Sequence, residues 1–470
     1  MDKNDSKPSL TPIRPVICNS RRTRLSVARR TAHGKVTVNA FDESTLHLHI
    51  QRTAFAYFEY ETNLDTGLVL DKNAPDWPAS IAATGLALSC YPIAVERGFM
   101  DRRSALTRTL TTLRFFMASP QGEQPDATGY RGFYYHFLDS QTGKRAWKCE
   151  LSSVDTTFFI SGVLAAAAYF QSDNAQEREI RELADKLYRR VEWDWLLDDT
   201  GHIRHGWRPE TGFLPFRWEG YDESLMMYAL ALGSPTHAVP PATYTTWAST
   251  FAWKTCYDIE YLYSAPLFTH QLSHVWLDLR GIQDYFMRGH DIDYFENSRR
   301  ATEIQRRYAI ENPMGFKGYG QHGWGITASD GPGPATRVID GIERQFFDYV
   351  GRGAPYGVDD GTLAPWSVAT SLPFAPDIVE PAIHYFVHKL KLHDIHRYGF
   401  RSTFNPTFGE SDSAYGWKSH WHFGLNIGPI VAMIENHHTG MLWQLMRSVP
   451  YVGDGLRKAG FRGGWLAENA

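Results

Sequence analysis

Residues 153–171 read SVDTTFFISGVLAAAAYFQ, and residues 174–193 read NAQEREIRELADKLYRRVEW. The first run is apolar all round (Phe158, Phe159, Ile160, Val163, Leu164), so a helix built from it has no face for water and lies inside. The second run is heavily charged and is its amphipathic outer partner. The same alternation recurs along the chain. Inner and outer segments pair at 80–97 with 101–117, 221–233 with 242–254, 267–287 with 291–311, 367–372 with 375–390, and 427–436 with 440–447. Six such pairs predict an all-α fold, an (α/α)6 barrel or toroid. No repeat is visible as sequence identity, so this expectation rests on hydropathy alone.

Outward from these pairs, Asp42-Glu43-Ser44 is a helix start signal for a segment running to Tyr60, with Leu46, Ile50, Phe55 and Phe58 on its buried face. Long Gly- and Pro-rich loops fall at 118–149, 196–220, 312–365 and 399–426. Loops of that length in a compact domain are usually functional. Each contains tryptophan: Trp147; Trp207 and Trp218; Trp324; Trp417 and Trp421. They are expected to build one rim of the toroid, with short β-hairpins among them; Tyr130 to Phe137 alternates in that manner. No linker breaks the chain after residue 40. The expected organisation is a flexible basic N-terminal tail over 1–40 and one catalytic domain over 41–470.

The net charge of −4 speaks against a nucleic-acid binder, which needs a basic face to neutralise phosphates. No apolar run reaches about 18 residues, so no membrane span is expected. Arg29-Arg30 suggests an export signal, but the polar Thr31-Ala32-His33-Gly34-Lys35 follows where an apolar stretch is required. The chain as written therefore carries no signal peptide and reads as cytoplasmic. Cys18, Cys90, Cys149 and Cys256 are scattered with no CxxC pair, which argues against a disulfide framework or a zinc site. The aromatic share of 14% fits a large core and also a carbohydrate groove, where ring faces stack on pyranoses and planar polar groups fix the hydroxyls.

The densest crowd of such groups runs from Phe268 to Gly281, through Tyr294–Thr302, and on to Tyr319–Pro332. His270, His274, Tyr319, Trp324 and Asp330 are expected to line one pocket. His270 and His274 stand i,i+4 with Asp278 a turn further. Two such histidines do not complete a zinc site, and hydrogen bonding in a polar groove is the preferred reading. No metal and no cofactor is expected.

No phosphate loop, dinucleotide fingerprint, GxSxG elbow or HExxH motif is present. What remains is carboxylates beside aromatics and glycines, and glycoside cleavage needs two carboxyl groups flanking the bond. Glu223 follows Trp218-Glu219-Gly220-Tyr221-Asp222 at the head of an inner helix, where a carboxylate also serves simply as helix-dipole partner. Glu150 and Asp155 flank the start of the most apolar helix. A charge there must be paired, so a structural ion pair and a sugar-binding or acid–base role both stay open. Asp330 sits in the turn Ala328-Ser329-Asp330-Gly331-Pro332. Glu410 and Asp412 lie in the last long loop. Glu435, late in an apolar helix, reads by default as a buried structural carboxylate.

The motifs YYHFLD (134–139), ELSSVDT (150–156), WEGYDE (218–223), ALGSPTH (231–237), PLFTHQLSH (266–274) and YFENSRR (294–300) occur in order. They are followed by Tyr319-Gly320, Trp324-Gly325, Asp330-Gly331-Pro332, Phe404-Asn405-Pro406 and Ile434-Glu435-Asn436. Together they cover roughly residues 130–440. In them the chain resembles the bacterial glucoamylase-like domain family, which includes endo-β-1,2-glucanases and the transglycosylase domain of cyclic β-1,2-glucan synthases. The resemblance implies an (α/α)6 barrel and inverting hydrolysis of β-1,2-glucan, with Glu223 as general acid. It implies a base in a late loop acting through a water relay past a substrate hydroxyl, here Glu410 or Asp412. Substrate contacts are expected from Glu150, Asp155, Trp218, Tyr221, His270, His274, Tyr319, Trp324, Asp330 and Glu435. The expected partner is an oligo- or polysaccharide, and a periplasmic location is compatible with the family. The run Lys144–Cys149 departs from the more acidic pattern of the family, which leaves linkage and reaction outcome open. The alternatives are a transglycosylase on the same scaffold and a glucan-binding protein without catalysis.

Overall fold

The computed structural model of the protein describes residues 43–394, 397–409 and 413–468. The expected tail, residues 1–40, and the two candidate bases Glu410 and Asp412 lie outside the described residues. From Glu43 onward the chain clusters as one compact unit.

Helices dominate. The first seven are α1 (Glu43–Tyr60), α2 (Ile81–Glu96), α3 (Arg102–Ala118), α4 (Ser153–Tyr169), α5 (Ala175–Arg189), α6 (Leu225–Gly233) and α7 (Pro241–Ala248). The next four are α8 (Tyr285–Arg288), α9 (Tyr294–Glu311), α10 (Pro365–Thr370) and α11 (Pro376–His384). The last four are α12 (Gly424–His438), α13 (Met441–Arg447), α14 (Pro450–Lys458) and α15 (Gly464–Glu468). Their starts follow from the sequence: the side chains of Ser80, Asp101, Ser152, Asn174 and Asp293 each accept a backbone N–H three residues on. Such N-caps satisfy donors that the first turn leaves without partners.

The apolar helices are buried as their composition requires. In α2 every residue from Ile81 to Ala94 is buried, and α4 is buried from Asp155 to Ala166. These two helices meet backbone to backbone. A Cβ on Gly162 would overlap the Gly85 carbonyl, and one on Gly85 the Phe158 carbonyl, so both positions must be glycine. The same close approach joins α6 to α14 through Gly233 and Gly455. The buried helices are neighbours in the order α6, α4, α2, α12, α10. The charged helices α3 and α5 pack outside α2 and α4. Five of the six expected pairs therefore occur as helices: α2 with α3, α4 with α5, α6 with α7, α10 with α11, and α12 with α13.

The sixth does not. The expected inner helix over 267–287 is instead two single 3-10 turns, Leu267–His270 and Ser273–Val275, an extended stretch, and the short α8. The reason is competition for backbone acceptors. Ser298 Oγ donates to the His270 carbonyl, Trp443 Nε1 to that of His274, Asn436 Nδ2 to that of Val275, and Trp465 Nε1 to that of Asp278. A helix would need those oxygens for its own N–H groups.

Among the described residues the strands of the loops are short and pair antiparallel, the longest pair being Ala335–Ile339 with Ile342–Phe346. The expected Tyr130 hairpin forms between Gly129–Tyr130 and Phe133–Tyr134. Its two-residue turn, Arg131-Gly132, has positive φ at both positions, the conformation that suits strand twist. Among the described residues no helix is long and apolar enough to cross a membrane, and Cys90, Cys149 and Cys256 are free and buried.

Candidate active site

Where the N-terminal ends of α4 and α6 face the loops, the structure encloses a cavity of about 480 Å³. Among the described residues six carboxylates border it: Asp71, Glu150, Asp155, Glu223, Asp330 and Asp348. Its aromatic walls include Trp77, Phe137, Trp147, Trp218, Tyr349, Trp366 and Phe423. The rings hold one another in place. Trp77 and Trp147 meet edge to face at 4.6 Å, His136 stacks on Phe137 at 3.9 Å, and His205 stacks on Trp218 at 4.1 Å. Lys72 Nζ lies 3.6 Å from the Trp77 ring centroid, a cation–π contact that also brings a positive charge to the acidic wall.

Glu223 stands two residues before α6. Its own carbonyl accepts a hydrogen bond from Ser273 Oγ at 2.8 Å, which ties the helix start to the 3-10 segment. Burial lifts its carboxyl well above the usual range, and the charges of Asp222 and Asp155 lift it further. Asp222 is raised too, by burial, although Ser224 donates to it from both backbone and side chain. Glu223 thus faces the cavity as a carboxyl that holds its proton near neutrality.

A second group sits on the α4 side. His136 Nδ1 is 3.0 Å from Glu150 Oε1, and its Nε2 is 3.6 Å from Asp155 Oδ1. Burial works against an imidazolium there. The charges of Asp155, Glu150 and Asp71 outweigh it and raise His136 to about 9. Burial likewise opposes ionisation of Glu150, but the His136 hydrogen bond and charge, with Arg208, hold it at about 2. Asp155 Oδ2 accepts from Ser152 Oγ at 2.5 Å, and Ser152 Oγ also caps α4. The cavity therefore pairs an ionised wall, Glu150 beside a protonated His136, with a protonated acid at Glu223. Environments that push two carboxyl groups apart in this way separate acid and base roles.

Asp330 is held across the cavity by Ser419 Oγ at 2.6 Å and Thr403 Oγ1 at 2.9 Å. Burial raises its carboxyl against those bonds. Asp71 is likewise raised by burial, with the Trp77 indole N–H donating to it at 3.0 Å.

Of the residues singled out in the sequence, Glu150, Asp155, Trp218, Glu223 and Asp330 border this one cavity. The pocket expected around His270, His274, Tyr319, Trp324 and Asp330 does not form, because the first four are committed elsewhere. His270 is buried and its Nε2 lies 3.1 Å from the Ser264 carbonyl. His274 is buried with its Nε2 3.0 Å from Ser298 Oγ. Burial lowers both, to about 4 and about 3, so they serve as neutral core hydrogen-bonding groups. Trp324 is wholly buried. The Tyr319 hydroxyl donates to Asp359 at 2.5 Å. Tyr221 packs between His270 and Tyr294. Glu435 is gripped by Arg97 at 2.6 and 3.0 Å and by Gln51 at 3.1 Å, away from the cavity. It keeps the structural role that is its default reading.

Several wall residues had no place in the sequence reading. Trp77 lies in the polar loop Asp71–Pro78 between α1 and α2, and the criterion that picked Trp147, a tryptophan in a long loop, would have found it. His136 stood inside a quoted motif without a role. Asp348 and Tyr349 gave no signal; the fold alone brings them to the wall.

With this geometry in place the family follows. Residues 215–450 match the Glycoamylase family model. A Bacteroides uniformis protein provisionally described as a glucoamylase has a crystal structure that superposes with a TM-score of 0.80 at 30% identity, covering 91% of this chain and 100% of that one. The chain belongs to this glucoamylase-like family. Among its relatives, the exo β-1,2-glucooligosaccharide sophorohydrolase of Parabacteroides distasonis is 28% identical over 452 residues, 89% of this chain. The chain spans 58% of that curated relative's length. The endo-β-1,2-glucanase of Chitinophaga pinensis, solved with sophorotriose and glucose, is 26% identical with a TM-score of 0.78, covering 91% of this chain and 100% of that one.

Proposed function

We propose that the protein is a glycoside hydrolase that cleaves β-1,2-glucan by inversion, with Glu223 as general acid. The observation that carries this reading is Glu223 itself: a carboxyl lifted by burial and neighbouring charge, on the wall of an aromatic-lined cavity that also holds ionised Glu150. A protonated carboxylic acid at neutral pH is what departure of a sugar oxygen requires. The names of the relatives from Parabacteroides distasonis and Chitinophaga pinensis supply the linkage. Glu410 or Asp412 is the proposed base, acting through water. Glu150, Asp155, Trp218 and Asp330 bind sugar hydroxyls and ring faces.

The scaffold proposed is a single (α/α)6 toroid over 41–470. Its support is the run of buried neighbours from α6 to α10, and the segment Leu267–Val275 that bridges the remaining gap. Gln271 Nε2 donates to Ser367 and Ser371 of and beside α10, while Ser273 Oγ binds the start of α6.

The test is incubation of purified protein with linear β-1,2-glucan and detection of short oligosaccharides. Products with the inverted anomeric configuration support hydrolysis as stated. Cyclic or lengthened products move the reading to transglycosylation, and binding without products moves it to a glucan-binding protein.

A further inference from the structure

Outside the cavity, one seam of the molecule gathers metal-ligating groups on facing helices. Helix α1 carries Glu43 and His47 one turn apart, and α11 carries Glu380 and His384 one turn apart. At this spacing side chains on a helix share a face. The carboxylates of Glu43 and Glu380 and the imidazole of His384 place one ligand atom each within 4.8 Å of one another. None of the three borders the cavity.

Two carboxylates held this close would both be drawn to a cation placed between them. Neither Glu43 nor His384 makes another side-chain hydrogen bond or ion pair among the described residues. Glu380 is oriented from behind. His47 Nε2 lies 3.0 Å from Glu380 Oε2, and His47 Nδ1 lies 3.2 Å from His438 Nε2. His47 is buried, so this support is fixed by packing while the Glu43 and His384 side chains can adjust from the surface side. A hydrogen-bonded group behind a ligating side chain is the usual arrangement around bound metals.

We infer that Glu43, Glu380 and His384 form a binding site for a divalent first-row transition metal of the zinc type, which ties α1 to α11. The donor set decides the ion class: one imidazole nitrogen with two carboxylate oxygens suits zinc and its neighbours, whereas calcium and magnesium take oxygen ligands. Ligands around a tetrahedral zinc, with bonds of about 2.0–2.1 Å, lie roughly 3.4 Å apart. Rotamer changes of the exposed Glu43 and the half-buried His384 close the remaining distance. Three protein ligands leave the fourth position to water. The role is to fasten the first helix to the body, apart from the glucan chemistry.

The experiment uses the full chain, stripped with EDTA and titrated with zinc chloride by calorimetry at pH 7.5, alongside Glu43→Gln and His384→Gln. The expected result is saturable binding of zinc by the wild type, with a melting temperature that rises with zinc concentration. Each variant should lose that site or bind at least tenfold more weakly, with an unchanged circular-dichroism spectrum. If zinc also occupies other histidines, the variants must still lose one equivalent. Absence of saturable binding, or binding that neither variant alters, overturns the inference.

Discussion

Glu223→Gln removes one proton and little else. Glutamine keeps the shape and the hydrogen-bonding capacity of the protonated acid, but it cannot deliver a proton to the leaving oxygen. General acid assistance supplies about 10²–10⁴-fold in rate, equivalent to a barrier rise of about 3–5 kcal/mol at about 1.4 kcal/mol per decade. Turnover on linear β-1,2-glucan should fall by that factor. Stability should move the other way. The folded-state carboxyl is raised above its unfolded value by burial and by Asp222 and Asp155. The wild type is therefore most stable, as far as this group is concerned, below the unfolded pKa, and it loses stability as pH rises toward the folded one. Glutamine has no charge to bury, so the variant should match the wild type in mild acid and melt higher in alkali. Reducing-end release, binding of an oligosaccharide and thermal melting at several pH values measure the three effects together. Wild-type turnover in the variant would refute the assignment and make Glu150 or Asp155 the acid to test next.

The same raised carboxyl predicts the alkaline limb of the pH–rate profile: kcat/KM should fall as pH rises through the elevated Glu223 pKa, and that limb should vanish in the residual activity of Glu223→Gln. Trp147 is 55% exposed and edges onto Trp77 at the cavity mouth. Trp147→Ala should raise KM on the order of tenfold, as loss of an aromatic anchor does, with stability unchanged within about 0.5 kcal/mol; an unchanged KM removes this ring from the binding wall. Gly162→Ala forces a methyl group into the Gly85 carbonyl and should destabilise by about 1–3 kcal/mol in urea titrations. A neutral effect there would show that α2 and α4 stand further apart than described.

The fold was legible where burial is complete. Helices such as α2 and α4 are apolar on every face because they are surrounded, and hydropathy alone reports that. The broken segment after Pro266 was not legible, since its apolar spacing still suits a helix. What prevents one is a set of hydrogen bonds from Ser298, Asn436, Trp443 and Trp465, remote in sequence. The same remoteness explains the site. Glu150, Asp155, Trp218, Glu223 and Asp330 lie in motifs or turns and met in one cavity, whereas Asp71, Asp348 and Tyr349 come together only through loop packing. The crowd of His270, His274 and Trp324 misled for a physical reason: polar rings saturate a buried backbone with hydrogen bonds as readily as they bind sugar. Glu435, expected both as a buried structural carboxylate by default and as a substrate contact by resemblance, is paired with Arg97 away from the cavity.

The carbonyls of the 267–279 segment also impose an order in time. Their donors lie 161, 169 and 187 residues further along for Val275, His274 and Asp278. On a ribosome making chain at about 5–20 residues per second, residue 278 waits on the order of ten seconds for Trp465. During that interval the segment that meets the Glu223 backbone lacks those three hydrogen bonds. Helices α2 and α4 have both been made by residue 169 and can already dock on each other. Assembly of the active wall thus waits on distant indole and amide donors, and nascent chains stopped before residue 443 should bind no glucan even though α1 to α12 have been made.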